Sequence, residues 1–313
     1  MPEHVIEFAQ AAKDYGRKQI GPLDLEVNRG EIVGFLGPNG SGKTTSIRLI
    51  LGLIRATSGS VRVNGLDPIS DHVHALKNVG YSPELPNIQT FFTPGELLSL
   101  VARTLSLASE VGQEIARVLE LVGLIEYRDV KVGKLSKGMV QRLSIAQAMM
   151  GRPEVLILDE PMIGLDPAGT AHLRELFREF AKKNGGTVFL SSHMMSEVQN
   201  LCDTVAIIHN GRLVQRGTIE EVTGRVLGTY AVSVEAEGLS ESCISKIRSL
   251  PGVKAVRDSG RDLEIEIDGP AQEDMRPKIA EAIVNSGARL YTIKPSENLL
   301  ERAYIEALGG KGK

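Results

Sequence analysis

Eight consecutive residues, Gly37-Pro38-Asn39-Gly40-Ser41-Gly42-Lys43-Thr44, match the pattern GxxxxGK[ST] and follow directly on an apolar run that ends at Leu36. Glycines in such a run let successive backbone N–H groups converge on phosphate oxygens, and a helix opening near Lys43 aims its positive end at the same anion. Lys43 supplies a point charge, and Thr44 offers a hydroxyl to a magnesium ion that bridges phosphates. Thr45 completes the stretch expected to contact a nucleotide. A second constellation is Asp159-Glu160, at the end of the apolar run Val155–Leu158. Open α/β sheets place ligands at the carboxyl ends of parallel strands. There the two carboxylates take separate tasks: Asp159 holds the metal, directly or through water, and Glu160 polarises the water that attacks a γ-phosphate. Alone, an Asp-Glu pair is more often the start of an ordinary loop. Its pairing with the phosphate-binding loop turns it into a candidate hydrolytic site.

To hold these groups together the chain needs a strand before the loop, a helix after it and an acidic strand nearby. Short apolar runs at Ile32–Leu36, Val155–Leu158, Thr187–Leu190 and Val205–Ile208 lack polar alternation, which reads as strands buried on both faces. Helical stretches separate several of them, so an α/β core with a parallel sheet follows. From about residue 90 to 151 the pattern is helical only, opening with Thr93-Pro94-Gly95-Glu96, a capping box with proline at the first helical position. Past residue 223 the order changes to a strand near Tyr230–Glu235, a helix near 240–249 and strands near 253–257 and 263–268. A helix near 273–286, a strand at Arg289–Ile293 and a closing helix near 297–308 complete it. That βαββαβ order is the ferredoxin-like plan, and it divides the chain into residues 1–223 and 224–313, with the boundary at Thr223-Gly224-Arg225.

Further motifs carry a resemblance. Leu135-Ser136-Lys137-Gly138-Met139, Gly164-Leu165-Asp166-Pro167 and His193 follow the phosphate-binding loop in the order found in the ATPase subunits of ATP-binding cassette (ABC) transporters, which residues 3–222 resemble. The first stretch resembles the family signature LSGGQ, departing at Lys137 and Met139 and keeping Ser136 and Gly138. The resemblance implies a P-loop NTPase (ABC ATPase) core with a helical subdomain, followed here by the small α+β ferredoxin-like domain. It implies ATP and Mg2+ as cofactors, Tyr15 stacked on adenine, Asp166 at a dimer seam, and His193 beside the γ-phosphate with Glu160 and Lys43. Where the family usually has Gln, this chain has Glu84, and Gln89 fits that place less well. Ser136 and Gly138 would close on the nucleotide held by a second ATPase subunit, identical or related, and the lesser alternative for Tyr15 is a core tyrosine near a strand.

Composition sets the remaining bounds. The 313 residues are 42% hydrophobic and 24% charged, which excludes disordered and collagen-like classes. With 36 Lys and Arg against 39 Asp and Glu the charge is -3, so no basic field favours a nucleic-acid partner. Cys202 and Cys243 lack metal-ligand or disulfide spacing, which fits a reducing compartment. The start Met1-Pro2-Glu3-His4 lacks the basic and apolar regions of a signal peptide, so none is expected, and no apolar run approaches the roughly 18 residues that span a bilayer. The expectation is a cytoplasmic protein, peripheral on the cytoplasmic face of the cell membrane, driving transmembrane permease subunits encoded as separate chains. Resemblance to ATPase subunits with a C-terminal extension favours an exporter. The alternatives are an importer subunit or a soluble ABC-type ATPase of DNA repair or translation. Leu97, Leu98, Leu100 and Val101 are either core or part of the permease groove.

Overall fold

The computed structural model describes residues 4–107, 110–219, 221–222, 229–268, 274–295 and 304. Two compact units divide the chain, Met1–Leu213 and Val214–Lys313. The expected boundary at residues 223–225 lies outside the described residues, as does the expected closing helix apart from Tyr304.

The first unit begins with β1 (His4–Asp14), β2 (Gln19–Asn28), β3 (Ile32–Leu36), α1 (Lys43–Ile50), β4 (Ser58–Val63), the short α2 (His72–Ala75) and β5 (Val79–Ser82). Then come α3 (Pro94–Thr104), α4 (Val111–Leu121), α5 (Lys137–Ala148), β6 (Val155–Asp159) and α6 (Pro167–Asn184). Last are β7 (Thr187–Ser192), α7 (Met195–Leu201), β8 (Thr204–His209) and β9 (Arg212–Thr218), in which the division between the units falls.

Six strands form one sheet in the order β5-β6-β7-β3-β8-β9, with parallel pairing from β5 through β8. Every residue of β3, β6 and β7 is buried, which accounts for their unbroken apolar character. Register fixes what emerges from the sheet: Asp159 lies opposite Ser191, and Leu36 opposite Ser192. The loops that leave β6, β7 and β3 therefore start side by side. A second sheet, antiparallel and in the order β2-β1-β4, was not among the sequence expectations. Its Phe8, Leu23 and Leu25 share one core with Ile47 and Ile50 of α1 and with Phe35 and Phe189 of the parallel sheet. The two phenylalanine rings lie 5.4 Å apart, within the range of favourable aromatic contact.

The helical insertion begins as its capping signal predicts. Thr93 Oγ1 accepts from Glu96 N–H at 3.2 Å, and Thr93 N–H donates to Glu96 Oε2 at 2.9 Å. Leu98 and Ala102 of α3 are buried, as are Ile115, Val118 and Leu119 of α4 and Leu143 of α5. Each fully buried aliphatic side chain of this kind contributes about 1.5–3 kcal/mol. Leu100 points outward and is half-exposed, while Leu97 and Val101 are partly buried.

In the second unit β10 (Thr229–Glu237), β11 (Val253–Asp258), β12 (Asp262–Asp268) and β13 (Arg289–Pro295) pair antiparallel in the order β11-β12-β10-β13. With helices Glu241–Arg248 and Arg276–Asn285 this is the ferredoxin-like arrangement. Period-2 apolar positions Val232, Val234, Ile265 and Ile267 pack with Ile244, Ile247, Ile279 and Ile283 of the helices.

Candidate active site

The loop between β3 and α1 is held by contacts that leave no room for side chains at two of its glycines. A Cβ on Gly37 would lie 2.4 Å from the Ile208 carbonyl oxygen and 2.6 Å from Ser41 Oγ. Gly42, at φ 120°, caps α1 in a conformation open to glycine and faces the Ile20 side chain. Gly37 N–H donates to Ser192 O at 3.2 Å, and Gly211 N–H donates to Ser41 O at 2.9 Å, so β7 and the β8–β9 turn brace the loop. Ser41 Oγ is buried with no hydrogen-bond partner among the described residues.

Lys43 is 6% exposed, and a buried ammonium must be compensated. Its Nζ donates to Gly37 O at 2.7 Å and lies 3.1 Å from Glu160 Oε1. Glu160 Oε2 in turn accepts from His193 Nδ1 at 2.9 Å. Because a carboxylate only accepts, Nδ1 carries the proton and His193 Nε2 stays available for another partner. Glu160 sits just past the end of β6 with φ 49°, an uncommon conformation outside glycine that turns the chain sharply at the strand end. Asp159 Oδ1 accepts from Ser191 Oγ at 2.5 Å, and Glu160 N–H donates to the same hydroxyl at 3.0 Å. Ser191 thus ties both acidic residues to β7. The phenol of Tyr81, on β5, is pushed above its usual range by burial first, and by the charges of Asp159 and Glu84, with Arg48 opposing.

These groups open on a pocket of about 250 Å³ lined by Tyr15, Gly40, Lys43, Thr44, Asp159 and Glu160 among others. The Thr44 hydroxyl and the Asp159 carboxylate are hard oxygen donors on one pocket, the ligand type that magnesium takes.

Comparison with known proteins agrees with this geometry. The family model described as ABC transporter matches residues 20–163. The ABC transporter ATP-binding protein YhcH of Bacillus subtilis (strain 168) is 33% identical over 306 residues, 97% of this chain and 96% of the relative. The chain belongs to the family of ABC transporter ATP-binding proteins. The bacitracin transport ATP-binding protein BcrA of Bacillus licheniformis is 33% identical over 311 residues, 98% of each chain. The linearmycin resistance ATP-binding protein LnrL of Bacillus subtilis (strain 168) is 32% identical over 97% of this chain and 98% of its own. The solved ATP-binding subunit of an ABC transporter superposes with a TM-score of 0.66 at 30% identity, covering 72% of this chain and 93% of its own. Proteins of this family hydrolyse ATP to drive transport, and this chain is such an ATPase subunit of a membrane transporter.

Within this ABC subunit the pocket gathers Tyr15, Asn39, Gly40, Gly42, Lys43, Thr44, Thr45, Glu84, Asp159 and Glu160. Gly37 and Pro38 join through their carbonyls, which face Lys43 Nζ, and His193 joins through Glu160. Gln89 is exposed and does not line the pocket. Ser136, Gly138 and Asp166 do not line it either. Ser136 caps α5, its side chain accepting from Met139 N–H at 3.2 Å. Asp166 caps α6, accepting from Gly169 N–H at 2.8 Å. Gly138 packs on the loop before α6, where a Cβ would meet Gly164 O at 3.1 Å.

Residues of the site that went unnoticed in the sequence include Lys18, Ser191 and Glu197. Lys18 lines the pocket, Ser191 holds the acidic pair, and Glu197 lies behind His193, accepting from Ser192 Oγ at 3.2 Å. Burial pushes the Glu197 carboxyl up, the Ser192 hydrogen bond opposes, and the Glu160 charge adds to the rise. The one available signal was the pair Ser191-Ser192 ending an otherwise apolar run.

Proposed function

We propose that this ABC subunit binds ATP in the pocket at Lys43, hydrolyses it with Glu160 as general base, and powers an exporter from the cytoplasmic face of the membrane. The observation that carries the reading is the buried Lys43–Glu160 ion pair, continued by Glu160 to the more exposed His193 and opening on the phosphate-binding loop. Tyr15, half-exposed and with Lys13 Nζ 5.7 Å from its ring centroid, would stack on adenine. Loop N–H groups, the start of α1 and Lys43 would bind the β- and γ-phosphates. Thr44 and Asp159 would hold a magnesium ion, which neutralises phosphate charge when bound. Glu160 then accepts a proton from the attacking water, and His193, oriented by Glu160, would stand beside the γ-phosphate. Glu84 reaches the same pocket from the loop after β5 and would report its state to the permease.

Within one chain Ser136 and Gly138 stand apart from the pocket, which supports a composite site. A second ATPase subunit, identical or related, would present its own α5 start to the γ-phosphate, with Asp166 on the same surface. ATP binding closes the pair, and hydrolysis removes the phosphate that holds it closed. Among the described residues no helix is long and apolar enough to cross a membrane, so the membrane path would belong to separate permease subunits. Leu85, Phe91 and Leu100 are exposed apolar side chains on the loop after Glu84 and on α3, suited to receive permease helices. Export is favoured by the full-length likeness to BcrA and LnrL, whose names refer to bacitracin transport and linearmycin resistance. The test is affinity purification of the tagged chain from detergent-solubilised membranes. Recovery of an integral membrane partner is expected; recovery with ribosomes or DNA instead overturns the reading.

A further inference from the structure

We propose that Lys18 is a second nucleotide-binding cation, which takes hold of the polyphosphate chain from the turn that also carries Tyr15. This rests on the reading of the pocket as an ATP site.

Tyr15 and Lys18 are the two ends of the turn between β1 and β2. Tyr15 N–H donates to Lys18 O across it at 2.9 Å. Gly16 takes φ 79°, and its N–H donates to Asp14 Oδ1 at 2.6 Å. The turn is thus fixed at its base, and both end residues line the pocket together with Gly40, Lys43 and Thr45. Arg17, between them, does not line it.

Lys18 Nζ donates to the carbonyl oxygen of Gly40, so its ammonium rests on the phosphate-binding loop itself. That acceptor is neutral. A phosphate oxygen is charged, and a charge-assisted hydrogen bond is about twice as strong. Lysine carries its charge on a flexible four-carbon stem, so it can exchange one acceptor for the other without moving backbone. The field of the pocket calls for such a cation. Its charged lining is Lys18 and Lys43 against Glu84, Asp159 and Glu160. Counting side chains alone, before any metal ion is bound, Lys43 without Lys18 would face three carboxylates, a poor environment for a polyanion.

Isothermal titration of ATP and ADP into the full chain and its Lys18→Gln, Lys18→Arg and Lys43→Ala variants tests the assignment. Glutamine removes the charge and keeps an N–H donor, on a stem one bond shorter, while arginine keeps the charge and the reach. Lys18→Gln is expected to weaken both nucleotides about tenfold and to flatten the salt dependence of Kd, with Lys18→Arg close to the parent. If Lys18→Gln binds both nucleotides like the parent while Lys43→Ala loses binding, Lys18 only braces the loop and the proposal is overturned. If Lys43→Ala also binds like the parent, the nucleotide reading of the pocket fails, and the proposal with it.

Discussion

Lys43 and Glu160 form a buried ion pair, Nζ to Oε1 3.1 Å, with 6% and 7% of their side chains exposed. The lysine expected to hold phosphate is thus occupied by the carboxylate expected to activate water. On the proposed reading an incoming phosphate would take the place of Glu160 at Lys43, and that exchange would free the carboxylate as the substrate arrives. Removing one member of a buried pair leaves the other uncompensated, at a cost of about 3 kcal/mol. Glu160→Gln should therefore lower the melting temperature of the nucleotide-free protein, and ADP should raise it by more than it does in the parent. Thermal unfolding with and without ADP checks this; equal shifts in the two proteins would contradict the exchange.

Two glycines with opposite surroundings give a paired prediction. At Gly37 a Cβ meets the Ile208 carbonyl at 2.4 Å, and backbone there cannot yield. Gly37→Ala should distort the loop, lower stability by about 1–3 kcal/mol and weaken ATP binding at least tenfold. A Cβ on Gly112, inside α4, would meet nothing within 4 Å. Gly112→Ala should raise stability by about 0.5–1 kcal/mol and leave ATP hydrolysis unchanged. Denaturant titration alongside an ATPase assay decides both.

Glu114 supplies a pH-dependent clamp in the helical insertion. It accepts from Arg117 Nε and Nη2, each at 2.7 Å, and from Gly151 N–H at 2.9 Å, tying α4 to the chain beyond α5. The Arg117 hydrogen bond is the largest cause holding its carboxyl below the usual carboxylate range; burial opposes. A lowered carboxylate contributes stability that is present above its ordinary value near 4.5 and is lost as pH falls through the lower folded value. Glu114→Gln should cost about 1–2 kcal/mol near neutrality. The deficit should shrink as the pH drops below that window, as thermal melts across the range would reveal.

Glu197 carries the opposite sign. Burial raises its carboxyl, so the folded protein binds a proton more readily than the unfolded chain, and stability declines as pH rises from near 4.5 toward the raised value. Glu197→Gln should stabilise the protein at neutral pH, with the gain vanishing in acid. A melting-temperature profile that shows the gain growing in acid would contradict this.

What could be read from sequence follows from how local each feature is. The phosphate-binding loop is contiguous, the capping box at Thr93 spans four residues, and the period-2 strands of the second unit declare themselves. The antiparallel sheet did not, because bulges between Phe8 and Ala11 and again before Lys13 break the alternation of β1. The meeting of Lys43, Glu160 and His193 depends on the order β6-β7-β3 and on Asp159 lying opposite Ser191, neither of which any single segment encodes. Lys18 escaped for a similar reason: its acceptor is the Gly40 carbonyl, on a different loop. Asp166 and Ser136 were legible as motif positions, whereas their use as helix caps emerged only with the boundaries of α6 and α5.

The central claim is that Glu160 activates the water that cleaves ATP, and steady-state ATP hydrolysis by Glu160→Gln tests it most directly. The expected result is intact ATP binding with turnover reduced about 10²- to 10⁴-fold, the usual contribution of a positioned general base. Undiminished hydrolysis in that variant would contradict the account.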